Sequence, residues 1–129
     1  MSEEMLLLRK EMKSLINNTS TSVRIQAVNL SAELQKPDEE VVKVLVKTMN
    51  SDPSENVRLA AVNALGKFAQ NDSVKKELIS ALENHESSYV QIKLINILST
   101  IKAKEAIPTL DELIKNEHTE IFVKSEAKY

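Results

Sequence analysis

The sequence predicts an all-α fold: a right-handed α-solenoid (α-α superhelix) in which about seven to eight helices stack as hairpins. Three observations predict it. Val23-Arg24, Val57-Arg58, Val90-Gln91 and Val123-Lys124 recur at separations of 34, 33 and 33 residues, the period of a two-helix unit. Four residues after each valine stand Ala27, Ala61, Leu94 and Ala127, and eleven after stand Leu34, Phe68 and Ile101, spacings that line one face of a helix. Finally, one Gly and three Pro in 129 residues leave few positive-φ turns or breaks, which suits helices joined by short turns and argues against a sheet.

The elements follow in order. Sixteen residues upstream of each valine lie Leu7, Val41, Val74 and Ile107, each opening a second amphipathic segment. Each unit is then two helices, A starting near the repeat valine and B starting near the upstream apolar residue of the next unit. The pattern gives a B helix at 3–17, then A/B pairs at 20–35 and 38–50, 54–70 and 73–84, 87–101 and 104–116, and a short final A helix at 119–128. Asn17-Asn18-Thr19-Ser20, Asn50-Ser51-Asp52-Pro53 and Ser87-Ser88 precede A helices and offer N-cap side chains. Lys36-Pro37-Asp38 and Asn71-Asp72-Ser73 separate A from B, and Pro108 falls in a first turn, where a missing N–H costs little. Lone hairpins cannot bury their apolar faces, so the stack is expected to form a single domain over 1–129. Val57, Ala61, Leu65, Phe68, Leu78, Leu82, Leu94, Leu98 and Leu110 are the expected core.

Composition excludes several classes of function. A net charge of −2 lacks the basic excess of a general nucleic-acid binder. With no cysteine there is neither a disulfide framework nor a thiolate metal site. No apolar run reaches the roughly 18 residues of a membrane span, and Glu3 and Glu4 stand where a signal peptide would be basic. As it stands the chain reads as cytoplasmic; excised from a membrane-anchored protein, it would be extracytoplasmic.

Asp52-Pro53-x-x-Asn56-Val57-Arg58-x-x-Ala61-x-x-Ala64-Leu65 resembles the core of a HEAT repeat, and Ala106-Ile107-Pro108-x-Leu110-x-x-Leu113-Ile114 resembles its second helix. The resemblance covers essentially the whole chain and implies an ARM-type fold that binds proteins. The stretch VRIQAVNLSAELQKPDEEVVKVLVKTMNSDPSENVRLAAVNAL is similar to the C-terminal HEAT domain of bacterial anti-sigma-factor-like membrane proteins. In those a zinc-binding module and a membrane helix precede the repeats. This sequence contains neither, so anti-sigma activity does not carry over.

The resemblance also implies that Asp52 and Arg58 pair across the turn before helix A to hold repeats in register; the equivalent positions are Asn18/Arg24, His85/Gln91 and His118/Lys124, a mostly degraded ladder. His85 and His118 share a repeat position and read as turn residues, two ligands being too few for zinc. Asn29, Asn63 and Asn96, six residues after the valines, are expected to form an exposed column. The B helices, which line the concave side of a HEAT solenoid, carry the best binding candidates. Arg9, Lys43 and Lys76 lie 14 residues before the valines, and Lys13 and Lys47 lie 10 before them. Together these five would form a basic strip that steers an acidic partner segment, against the plainer reading of a solvated lysine face.

No catalytic set, cofactor motif or metal-ligand cluster is legible. There is no Gly-rich phosphate loop and no converging Ser/His/Asp group, while Asp38-Glu39-Glu40 complement a helix dipole. The first functional reading is a non-catalytic protein-binding scaffold, in its narrower form the soluble regulatory domain of a membrane-anchored transcriptional regulator. The second is an enzyme on HEAT-like repeats. A DNA glycosylase would need a basic, aromatic groove, and Trp is absent while Tyr89 and Phe122 lie at A-helix starts. A bilin lyase-type protein shares only the repeat. The third is a homo-oligomerising module, since a lone B helix at the start and a lone A helix at the end would leave both ends poorly capped.

Overall fold

A computed structural model describes residues 3–34, 36, 38–84, 87–116 and 121–127. Among the described residues there is no strand. The helices are α1 (Glu3–Leu15), α2 (Thr21–Ser31), α3 (Glu39–Ser51), α4 (Glu55–Gly66), α5 (Asp72–Asn84), α6 (Ser88–Thr100), a 3-10 turn at Lys104–Ala106, α7 (Ile107–Lys115) and α8 (Ile121–Ala127). This is the all-α helical-repeat fold the sequence predicts. Helices α2 and α4 stop at Ser31 and Gly66, short of residues 35 and 70, because their last turns tighten into i→i−3 bonds: Leu34 N–H to Ser31 C=O, and Phe68 N–H to Leu65 C=O.

The backbone groups into two compact units, Met1–Phe68 and Ala69–Tyr129. In the first, α1 packs on α2 and α3 on α4; the hairpins then join through α2 on α4 and, more sparingly, α1 on α3. In the second, α5 packs on α6 and α7 on α8, with α6 against α8 and α5 against α7. The A/B pairing is thereby corrected. Each B helix folds onto the A helix that follows it, because the turn between them is the shorter connection. The described termini are therefore members of hairpins, not lone helices.

The core is aliphatic: Leu45, Met49, Val57 and Leu65 in the first unit and Leu78, Leu82, Leu94 and Leu98 in the second are buried. Of the nine expected core residues only Leu110 departs, being half-buried. Its helix buries Thr109 and Leu113, which puts Leu110 at the edge of the inward face. Leu7 and Ile107 also depart. They share a repeat position with Val41 and Val74, which are 2% and 1% exposed, yet are themselves 65% and 53% exposed. The reason is phase. Helix α1 faces inward at Met12, flanked by half-buried Leu8, Leu15 and Ile16. That pattern sits one residue nearer to its valine than Val41, Leu45, Thr48 and Met49 sit to theirs. In α7 it sits one residue farther away.

Candidate functional site

Helices α2, α4 and α6 open with the same local chemistry. Ser20, Ser54 and Ser87 are extended N-caps whose hydroxyls accept the amides of Val23, Val57 and Val90 at 3.4, 3.4 and 3.3 Å. A Ser three residues before the repeat valine is a signal present in the sequence; the expected capping segments included Ser20 and Ser87 but stopped one residue short of Ser54. Two residues earlier again, Asn18 Oδ1 accepts the Ser20 N–H at 2.8 Å, and Asp52 Oδ1 accepts the Ser54 N–H at 2.9 Å. Asn and Asp serve this turn alike because both offer a side-chain oxygen at the same reach.

These turns position the arginines. Arg24 Nη1 donates to the carbonyls of Asn18 and Thr19 at 3.0 and 3.1 Å, and Arg58 Nη1 donates to the carbonyl of Asp52 at 2.7 Å. Arg58 reaches Asp52, six residues earlier, at its backbone carbonyl and not at its carboxylate. That is why Asn18 supports Arg24 equally well, and the first two rungs are not degraded. The Asp52 carboxylate instead receives Arg24 from the preceding hairpin, Nε to Oδ2 at 2.9 Å and Nη2 to Oδ1 at 3.1 Å. Burial pushes the Asp52 carboxyl up, but the Arg24 hydrogen bonds, the Ser54 N–H and the charges of Arg24 and Arg58 outweigh it, so its pKa lies below the usual carboxylate range.

A second clamp repeats this across the other layer. Arg9 on α1 donates Nε to Asp38 Oδ2 at 3.0 Å and Nη2 to Asp38 Oδ1 at 2.7 Å, just ahead of α3. The Arg9 hydrogen bonds hold the buried Asp38 carboxyl low against the opposing effect of burial. Arg9 thus links two hairpins.

The one-residue phase shift of α1 explains this. Arg9 takes the helical position that Val42 takes in α3, and Lys13 that of Val46. Both are turned by about 100° from the face that bears Lys43 and Lys47. Lys13 reaches Glu40 at 3.2 Å in solvent, each side chain being 48% exposed. Lys43 and Lys47 are exposed without an ion-pair partner among the described residues. Within the first unit, Arg9 and Lys13 therefore stand on a different helical face from Lys43 and Lys47. In the first unit the accessible ones are Lys13, Lys43 and Lys47, carried by the more loosely packed layer, α1 and α3; exposed Lys76 belongs to the second unit. Asn29, Asn63 and Asn96 are exposed, as expected, while His85 and His118 lie outside the described residues.

Lys13 and Lys47 line a cleft of about 620 Å³ in the first unit, with Ile16 and Val44, the polar turn Asn17–Thr19, and Arg24, Thr48, Ser51, Asp52 and Pro53. The described residues hold no group of three or more His, Cys, Asp or Glu able to bind a metal ion. Among them no helix is long and apolar enough to cross a membrane.

Neither curated proteins nor solved structures give a match to this chain. A family model of HEAT repeats matches residues 10–76, slightly more than half of the 129. The match starts at Lys10, just after Arg9, and takes in both serine-capped turns of the first unit and their arginines. The chain belongs to the HEAT-repeat family.

Proposed function

We propose that this protein is a non-catalytic scaffold that binds a partner protein through an acidic segment laid across α1 and α3. HEAT repeats as a class mediate protein–protein interaction. The observation that carries the reading is the difference between two sets of cations. Arg9 and Arg24 are consumed by Asp38 and Asp52, whereas Lys43 and Lys47 are exposed with no described partner and Lys13 holds only an exposed one. Exposed ion pairs contribute about 0–1 kcal/mol, so Lys13 exchanges Glu40 for a partner carboxylate at little cost. Uncommitted cations of one sign steer an acidic partner and set its register.

The test is affinity capture on the immobilised chain, wild type against the Lys13→Ser, Lys43→Ser, Lys47→Ser variant, with Arg9 left in place. A partner should be retained by the wild type and lost by the variant, and weakened by salt, since exposed charges are screened over about 10 Å at 0.1 M. Identical capture by both proteins at low and moderate salt would refute the reading. The narrower form, a docking domain of a membrane-anchored transcriptional regulator, stands on the sequence resemblance alone. It requires a Cys/His module and a membrane helix upstream in the reading frame, and their absence from the gene would remove it.

A further inference from the structure

The cleft of the first unit combines two kinds of surface, and the charged and buried part of its remaining wall is already hydrogen-bonded. Arg24 spends its donors on Asp52 and on the carbonyls of Asn18 and Thr19. Asp52 is occupied by Arg24 and by the Ser54 amide, and the Thr48 hydroxyl donates to the Val44 carbonyl at 2.8 Å. Beside the exposed polar groups of Asn17, Thr19 and Ser51, the cleft offers the aliphatic surface of Ile16 and Val44 and two ammonium groups, Lys47 and Lys13, the latter held only by exposed Glu40.

Helices α1 and α3 both end beside this cleft, and their C-terminal carbonyls would oppose an anion. That opposition is relieved locally. The guanidinium of Arg24 sits on the carbonyls that follow α1, and that of Arg58 on the Asp52 carbonyl at the end of α3. Lys13 and Lys47 are therefore not needed to cap these helices; Lys47 has no described ion-pair partner and Lys13 only the exposed Glu40.

We infer that this cleft is a subsite for an acidic side chain flanked by an aliphatic one, within the partner's acidic segment. The aliphatic group seats on Ile16 and Val44 while the carboxylate lies between Lys13 and Lys47. This rests on the scaffold reading above and adds the place and the side-chain chemistry. Salt-bridge geometry alone gives little affinity at an exposed site, so the paired apolar contact is what makes the subsite selective.

The experiment is an NMR shift titration of the full chain with two probes, acetyl-Leu-Glu-Leu-Glu-amide and the isosteric acetyl-Leu-Gln-Leu-Gln-amide. The acidic peptide should shift the methyls of Ile16 and Val44 together with the amides of Lys13 and Lys47. Its midpoint should lie a few-fold below that of the amide peptide, the scale of exposed charge contacts worth about 0–1 kcal/mol. Lys13→Gln with Lys47→Gln should abolish that difference, and Lys43→Gln should preserve it. Equal midpoints for the two peptides would overturn the acidic assignment, and inorganic phosphate reproducing the shifts without moving the methyls would overturn the paired one. Acidic-peptide shifts centred on Lys43 and absent from Ile16 and Val44 would remove the subsite and leave the scaffold reading standing. No response at any of the three lysines would count against both.

Discussion

The two units join their hairpins with different chemistry. In the first, Arg9 forks onto Asp38 and Arg24 onto Asp52, one clamp in each helical layer, and Lys67 Nζ donates to the Ala32 carbonyl between the ends of α4 and α2. The second unit joins α5 to the following segment through Lys75 Nζ and Glu105 at 3.4 Å, and through the Thr109 hydroxyl on Glu83 at 2.9 Å. The Asp38 and Asp52 side chains are 6% and 7% exposed, whereas Glu105 is 62% exposed. A planar guanidinium meets a carboxylate with two parallel bonds and fixes both distance and rotation, while an ammonium fixes distance only. One fold therefore supports a stack joined by two buried forks and one joined, among the described residues, by single polar bonds.

Packing sets the largest expected effects and should be equal in the two units. Leu45 and Leu78 stand twelve residues before Val57 and Val90 and are both 0% exposed. Leu45→Ala and Leu78→Ala should each cost about 2–5 kcal/mol in urea denaturation, from lost transfer energy plus the cavity left behind. Costs differing by more than about 2 kcal/mol, beyond the scatter usual for one substitution type, would show that the units differ in core packing and not only in their clamps.

The clamps should separate the units. Arg24→Leu leaves a buried carboxylate without its principal partner, so hydrogen-exchange protection should fall clearly in α2 and α4. Lys75→Leu removes an exposed contact and should leave α5 and α7 close to wild type. Equal losses would mean that the two units are held in register alike.

Acid should act on the same pairs. Asp38 and Asp52 have lowered pKa values in the folded chain, so their contribution is fully present above the unfolded carboxyl value of about 3.9 and is lost as pH falls below it through the folded values. Protection factors in α1–α4 should decline over that acid range. An Arg9→Leu, Arg24→Leu double variant should lose much of this pH dependence; if it keeps the wild-type profile, other groups govern the acid response.

The repeat valines, the helix order and eight of nine core positions were legible because a 3.6-residue period and a 33–34-residue period reinforce each other. The phase of α1 and α7 was not. Counting backwards from the valines assumes turns of constant length, and a one-residue difference rotates a helix by about 100°. That error exchanged Leu7 for Leu8 on the inward face and placed Arg9 and Lys13 in register with Lys43 and Lys47. Met12, Leu15 and Ile16 carried the correct phase within α1 itself. The Arg24–Asp52 and Arg9–Asp38 clamps were invisible for another reason. Their partners stand 28 and 29 residues apart, a separation of no significance until the hairpins are stacked.

The smallest expected effect lies at the helix ends. Helices α2 and α4 of the first unit close through 3-10 turns, and no described residue there has positive φ. Helix α6 of the second unit closes differently: Ala103 N–H reaches Leu98 C=O at 2.9 Å and Lys102 N–H reaches Ser99 C=O at 3.1 Å. This pair of bonds requires a left-handed residue after the cap, and Lys102 supplies it at φ 56°. A Cβ in that region costs about 1–2 kcal/mol, and glycine avoids it while giving back about 0.5–1 kcal/mol through its freer unfolded state. Lys102→Gly should thus stabilise the chain by about 0.5–1 kcal/mol, read as a higher urea midpoint at unchanged slope. Lys102 is exposed and makes no described side-chain bond, so nothing else is lost with it. A neutral result would mean that the strain is already relieved in solution. A destabilised variant would mean that the Lys102 side chain makes a contact that outweighs it.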